Sequence, residues 1–144
     1  MLKKILSSEP SWQNNGLVIL RIVTGLLMVY HGWEIFDSNK MNEYTKWDTI
    51  KALPASTFLV YLGKGLELVP GILVVLGLLT RPAALIMAIN MLFICFKIGD
   101  GKFYYEDQHP FIFALLALVF FFTGPVKWSI DQLIFKQKIS YRSY

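Results

Sequence analysis

Apolar residues in this chain fall into four long runs, and most of the charged residues gather in the stretches between them. The runs are Gly16 to Phe36, Thr57 to Leu79, Pro82 to Ile98 and Pro110 to Val126. A soluble helix interleaves charge along its exposed face, whereas charge clustered between apolar runs is the membrane pattern. The first two runs match the roughly 20 residues that a helix needs to cross hydrocarbon. The last two are shorter and are expected to gain a turn from Arg81 and from Glu106-Asp107-Gln108-His109. Strands are excluded, because the runs are continuous and too long. The pattern predicts an all-α fold: a polytopic four-helix membrane bundle, built as one domain from residues 1–144.

The connections carry their own signals. The loop from Asp37 to Ser56 alternates charge and holds Tyr44 and Trp47. It is expected to lie along the outer membrane surface with a short helix, or to form a lid over the outer mouth. Leu79-Thr80-Arg81-Pro82 reads as a tight inner turn, with proline opening the third helix. Gly99-Asp100-Gly101-Lys102 is an outer turn leading to Tyr104 and Tyr105, which suit the headgroup level. Thr123-Gly124-Pro125 ends the fourth helix, and Trp12 and Trp128 suit the two interfaces.

Composition narrows the class further. The net charge of +4 does not point to nucleic acid, because Lys136, Lys138 and Arg142 suit anionic lipid headgroups. Lys3, Lys4, Arg81, Lys127, Lys136, Lys138 and Arg142 fall on one side of the membrane. Lys40, Lys46, Lys51 and Lys102, with Lys97 at a helix end, fall on the other. The positive-inside rule therefore places both termini in the cytoplasm, and the chain in the bacterial cytoplasmic (inner) membrane. The first run is expected to be a retained helix rather than a signal peptide, since Arg21 interrupts it and no small-residue cleavage site follows. The single cysteine, Cys95, excludes a Cys-x-x-Cys membrane oxidoreductase and reads as helix packing.

Ionisable residues inside apolar runs cost several kcal/mol unless they meet a partner or a wet cavity. Arg21, His31 and Glu34 lie in the first run, and Lys64 and Glu67 in the second. At 3.6 residues per turn, Arg21, Thr24, Gly25, Met28, His31 and Gly32 share a sector of roughly 120°. Gly63, Lys64, Glu67, Pro70, Gly71 and Val74 share a comparable sector on the second helix. A rise of about 1.5 Å per residue puts His31 roughly 8 Å and Glu67 roughly 15 Å below the outer boundary. Arg21 lies deeper still, within plausible reach of Glu67. The pairings this suggests are Glu67 with Arg21, and Lys64 with Glu34 or His31. Asn90 is placed to add an amide to the network, and His109, Glu106 and Asp107 to rim its outer mouth. Pro70 is expected to kink the second helix and free carbonyls toward the cavity.

These residues carry a resemblance to the DoxX family of small four-helix membrane proteins, over nearly the whole chain. Arg21-Ile22-Val23-Thr24-Gly25 followed by His31-Gly32 resembles the family's first-helix pattern. Leu66-Glu67-Leu68-Val69-Pro70-Gly71, continuing to Leu76-Gly77-Leu78-Leu79-Thr80-Arg81, resembles its Glu-centred second helix and turn. Thr123-Gly124-Pro125-Val126-Lys127-Trp128-Ser129-Ile130-Asp131 resembles its closing signature, with Val126 where the family usually has glycine. Ile35 stands near where many relatives place a lysine. The resemblance implies a subunit associated with membrane thiosulfate–quinone oxidoreductases, or a partner of redox and detoxification proteins.

Two function classes follow. In the first, the chain has no intrinsic cofactor and binds a quinone-like molecule or lipid beside Arg21, His31, Lys64 and Glu67. Glu67 and His31 then handle protons, Arg21 or Lys64 steadies negative charge on the ligand oxygen, and a redox partner protein supplies electrons. In the second, the chain is a non-catalytic scaffold whose buried charges set helix register, with the bilayer and a second copy of itself as partners. Haem held by His31 and His109 is a weaker reading, because their estimated depths differ by roughly a turn or more.

Overall fold

The computed structural model describes residues 12–135 and is all-helical over that range. Helix α1 is Gln13–Gly32, continued by a 3-10 turn over Trp33–Phe36. Two short helices, α2 (Ser38–Tyr44) and α3 (Asp48–Lys51), occupy the long connection. Helix α4 is Ser56–Leu76, and α5 is Thr80–Phe93, which opens into a π-helical turn over Ile94–Ile98. Helix α6 is Gln108–Thr123, and the short α7 is Ile130–Ile134. The terminal cations Lys3, Lys4, Lys136, Lys138 and Arg142 lie outside the described residues.

Among the described residues, three helices are long and apolar enough to cross a membrane: α1 with its 3-10 turn, α4, and α5 with its π turn. The fourth apolar helix, α6, has 16 residues, a length of about 24 Å. Their outward faces carry Ile19, Leu26, Val69, Ile89 and Phe122, all exposed, as lipid-facing surfaces require. In chain order α1 packs on α4, α4 on α5 and α5 on α6, while α1 and α6 touch lightly.

Small residues set how closely these helices approach. A Cβ on Gly25 would stand 2.9 Å from the Gly71 carbonyl oxygen, and one on Gly32 would strike the Leu68 backbone. Between α5 and α6, Ala83, Ala84, Ala88, Ala114 and Ala117 are sealed in a core with Met28, Val74, Met87 and Phe120. Close packing of small residues is what joins helices where lipid offers no hydrophobic contrast. A second cluster, Met41, Ile50 and Val60, seats the α2–α3 segment against the end of the bundle.

The helix ends follow local chemistry. α4 stops where Gly77 turns left-handed (φ 63°) and Leu78 N–H bonds back to the Leu73 carbonyl at 2.9 Å, a glycine-terminated cap. Gly124 (φ 68°) ends α6, within the Thr123-Gly124-Pro125 stretch expected to end it and short of the apolar run's limit at Val126. Val126 is buried in the closing segment rather than in the helix. The predicted kink at Pro70 leaves the hydrogen-bonded helix unbroken, and α4 runs through it to Leu76.

Candidate functional site

The charges expected to form one cluster divide between two ends of the bundle. The packing register of α1 on α4 explains why. Gly32 faces Leu68, Gly25 faces Gly71 and Val75, and Arg21 reaches Gly77. Arg21 therefore lies about ten residues of helix, roughly 15 Å, from the level of Glu67. The expected Arg21–Glu67 pair does not form, and Arg21 lines no part of the cavity described below.

Lys64 is the centre of the first network. Its Nζ lies 2.9 Å from Glu34 Oε2, 3.0 Å from Glu67 Oε2 and 3.3 Å from the His31 carbonyl oxygen. Two of its hydrogens are donated to Glu67 and the His31 carbonyl, and the ammonium is ion-paired with Glu34. Glu34 also accepts from Lys40 Nζ at 2.7 Å and from Tyr44 Oη at 2.6 Å. The Tyr44 ring stacks 5.0 Å from the Lys64 ammonium, a cation–π contact. Burial, and then the bond to Glu34, push the Tyr44 phenol well above its ordinary value. The separate hydrogen bond from Lys40 to Glu34 raises the Lys40 ammonium. Two carboxylates face two ammonium groups, so the network is neutral. The 3-10 turn is what brings Glu34 round to this position, because it tightens the chain just before Asp37 caps α2 through the Asn39 and Lys40 N–H groups.

Beside this network lies a cavity of about 470 Å³ between α4 and α5. Its polar end is Lys64, Glu67 and Asn90, and the rest is apolar: Leu59, Val60, Leu62, Ile86, Ile89 and Phe93. Tyr44, Trp47 and Ile50 from the surface segment roof it, and Ile94 and Ile98 of the π turn close its far wall. The wider π turn is visible in the bond from Gly99 N–H to the Ile94 carbonyl at 2.8 Å. Such turns recur at functional sites because they re-aim side chains within a continuous helix. Asn90 donates through Nδ2 to the Gly63 carbonyl at 3.2 Å, which ties α5 to α4 at the cavity wall.

His31 and His109 meet elsewhere. Their rings are edge-on with centroids 5.1 Å apart, and Phe113 packs 4.9 Å from His109. The depth estimate that separated them by a turn is thus corrected, because α6 begins at Gln108 and brings His109 level with the end of α1. Neither ring lines the cavity. Glu106 pairs with Lys102 at 2.9 Å and Asp107 accepts from the Lys102 N–H, so both organise their own loop rather than the mouth of the site.

At the opposite end, Arg21 is sealed beneath the α4–α5 turn. Its Nη2 donates to the Trp128 carbonyl at 2.7 Å, while Nε and Nη1 find no acceptor among the described residues. Asp131 accepts from Leu79 N–H, Thr80 N–H and Thr80 Oγ1 at 2.7–2.8 Å. Its own N–H returns to the Gly77 carbonyl at 2.9 Å. Burial alone would raise the Asp131 carboxyl, but these donors, with Arg21 nearby, hold it below its ordinary value. The closing segment is a clamp across the turn. Sequence reasoning placed Asp131 only in a terminal motif, and put Tyr44 and Trp47 in a segment expected either to lie along the outer surface or to form a lid over the outer mouth, without naming them as site residues. Among the described residues, no group of three His, Cys, Asp or Glu side chains is placed to hold a metal ion.

The DoxX family profile matches residues 16–100, which include α1, the surface segment, α4 and α5. The chain belongs to the DoxX family. Among its DoxX-like relatives, a membrane protein of Mycobacterium tuberculosis is 29% identical, covering 91% of this chain and 93% of its own. The putative oxidoreductase CatD of Bacillus subtilis is 26% identical over 85% of this chain and 90% of its own. A Haemophilus influenzae protein is 27% identical over 84% and 92%. No solved structure matches the chain. It is a DoxX membrane protein, and residues 16–100 contribute every wall of the cavity.

Proposed function

We propose that this DoxX protein binds a quinone-like or other small lipophilic molecule in the α4–α5 cavity, as the membrane subunit of a redox partner. The observation that carries this reading is a largely apolar cavity with one polar end, Lys64–Glu67–Asn90, opening between two lipid-facing helices. Its volume falls in the range of small-molecule sites, ~300–1,000 Å³, and apolar walls with a few fixed polar groups are their usual lining. Exposed Leu62, Ile86, Ile89 and Phe93 at its edge would let a molecule enter sideways from the bilayer. The name of the relative CatD supports the redox association. The single, buried Cys95 leaves this chain no dithiol, so electrons would be supplied by the partner.

In this reading a bound quinone would supply the redox chemistry. Tyr44, Trp47 and Phe93 would hold its ring, and Glu67 would take or hold a proton at the polar end. Lys64 is a positioning residue, because it is already held by Glu34, Glu67 and the His31 carbonyl. The positive-inside count supports a bacterial cytoplasmic membrane location with the termini inside, in which case the cavity would lie near the outer face.

The test is purification with native lipids, followed by titration of a decyl-benzoquinone in its oxidised and in its quinol form, read by tryptophan quenching with Trp47 in the cavity roof as reporter; binding of either form supports the cavity reading. Binding is expected in the wild type and lost in Gly63→Leu. A Cβ at Gly63 meets nothing within 4 Å, so this substitution fills the cavity without displacing backbone. No co-purifying lipophile and no added binding would sink the proposal. A scaffold role is favoured at the other end alone, where Arg21 and Asp131 are spent on the turn and the closing segment.

A further inference from the structure

The hydrogen-bonding capacity left at the polar end of the cavity selects among lipophiles. Lys64 is held by three oxygens, donating to Glu67 and the His31 carbonyl and ion-paired with Glu34. Glu67 uses Oε2 for Lys64, and no donor among the described residues reaches its Oε1. Among the described residues, the side-chain atoms that are both sealed and unpartnered are confined to Arg21, so Glu67 Oε1 keeps accessible surface, and Glu67 lines the cavity. Asn90 turns Nδ2 to the Gly63 carbonyl, which only accepts, and this fixes the amide orientation. Its Oδ1 is therefore the second acceptor left free, against one remaining N–H. The polar end is rich in acceptors and poor in donors.

We infer that the occupant presents a hydroxyl group to Glu67 Oε1 and Asn90 Oδ1: a phenol, a quinol or a lipophilic alcohol rather than a molecule bearing only carbonyl or ether oxygens. A carbonyl oxygen at this end would face two lone-pair-bearing atoms, whereas a hydroxyl supplies the missing hydrogen. A lipophilic amine is disfavoured, because Glu34 and Glu67 are already balanced by Lys40 and Lys64 and no uncompensated negative charge awaits a cation. The inference rests on the cavity reading above and narrows it to the reduced, hydroxyl-bearing member of a quinone pair.

A redox-inert pair of probes separates the two claims. The full chain in lipid nanodiscs is titrated with para-hexylphenol and with its methyl ether, para-hexylanisole, with empty nanodiscs as the partition control. The phenol is expected to bind at least about tenfold more tightly, because a site built around a hydroxyl discriminates strongly against the analogue lacking it. Asn90→Leu, which leaves the Lys64 ion pairs in place, is expected to shrink that preference several-fold while the ether's affinity stays the same. Equal binding of phenol and ether to the wild type overturns the inference and leaves the cavity reading standing. Binding of neither above the empty nanodiscs overturns both.

Discussion

Lys64 Nζ stands 3.0 Å from Glu67 Oε2, one turn away on the same helix, in a region that lipid surrounds. The pair is not an isolated bridge, because Glu34 from the 3-10 turn that follows α1 closes on the same nitrogen at 2.9 Å. One cation shared by two carboxylates ties the end of α1 to the middle of α4. Removing it leaves two negative groups facing each other.

Lys64→Met is accordingly expected to destabilise the fold by about 3–5 kcal/mol, the usual cost of stranding a buried charge. Adding Glu67→Gln to that variant should recover part of the loss, with a coupling of about 0.5–3 kcal/mol. Thermal unfolding in detergent measures both. Strictly additive losses would show that the two groups do not interact.

Two glycines in similar sequence settings should behave oppositely. Gly32→Ala places a methyl against the Leu68 backbone and is expected to cost about 1–3 kcal/mol through overpacking. Gly63→Ala meets nothing within 4 Å and should be neutral or stabilising by up to ~1 kcal/mol. Unfolding curves of the two variants side by side check the α1–α4 register directly.

Asp131 gives a pH dependence with a definite sign. Its carboxyl is held below the ordinary value: burial opposes ionisation, and the Thr80 and Leu79 donors outweigh it. The stability it contributes is present above the unfolded value of about 3.9 and lost as pH falls through the lower folded value. The wild type should therefore lose stability on acidification below about pH 4, and Asp131→Asn should lose less over that window. A slope unchanged by the substitution would remove Asp131 from the clamp.

Tyr44 titrates in the other direction. Burial and its bond to Glu34 raise the phenol, so its contribution is present below the unfolded value of about 10 and lost as pH rises through the folded one. Ultraviolet titration near pH 10 should show the same tyrosinate amplitude in the wild type and in Tyr44→Phe. A smaller amplitude in the variant would mean that Tyr44 ionises freely and is not bonded to Glu34. Tyr44→Phe should also cost about 1.5–3 kcal/mol, the worth of a hydrogen bond to a charged group.

The sequence by itself determined the four apolar helices, the turn at Thr80 and the stripes of polar and small residues on α1 and α4. Those follow from local causes: run length, helical period, and glycine or proline at the ends. The buried face of α1, with Arg21, Thr24, Gly25, Met28 and Gly32, is the face its periodicity marks. The partners of the charged residues were a different matter. Depth counted from run ends carries an error of a turn or more, and a turn is enough to exchange one partner for another. Tertiary structure decided them through the glycine contacts that lock Gly32 against Leu68 and Arg21 beneath Gly77. That register brings Glu34 to Lys64 and carries Arg21 to the Trp128 carbonyl, while Glu67 meets Lys64 one turn away on α4 and the start of α6 at Gln108 brings His109 to His31. It also recruits Tyr44 and Trp47 to the cavity roof, a role that depends on how the surface segment folds back and not on its own sequence. Helix identity is a property of neighbours in the chain, whereas site membership is fixed by how two helices slide against each other.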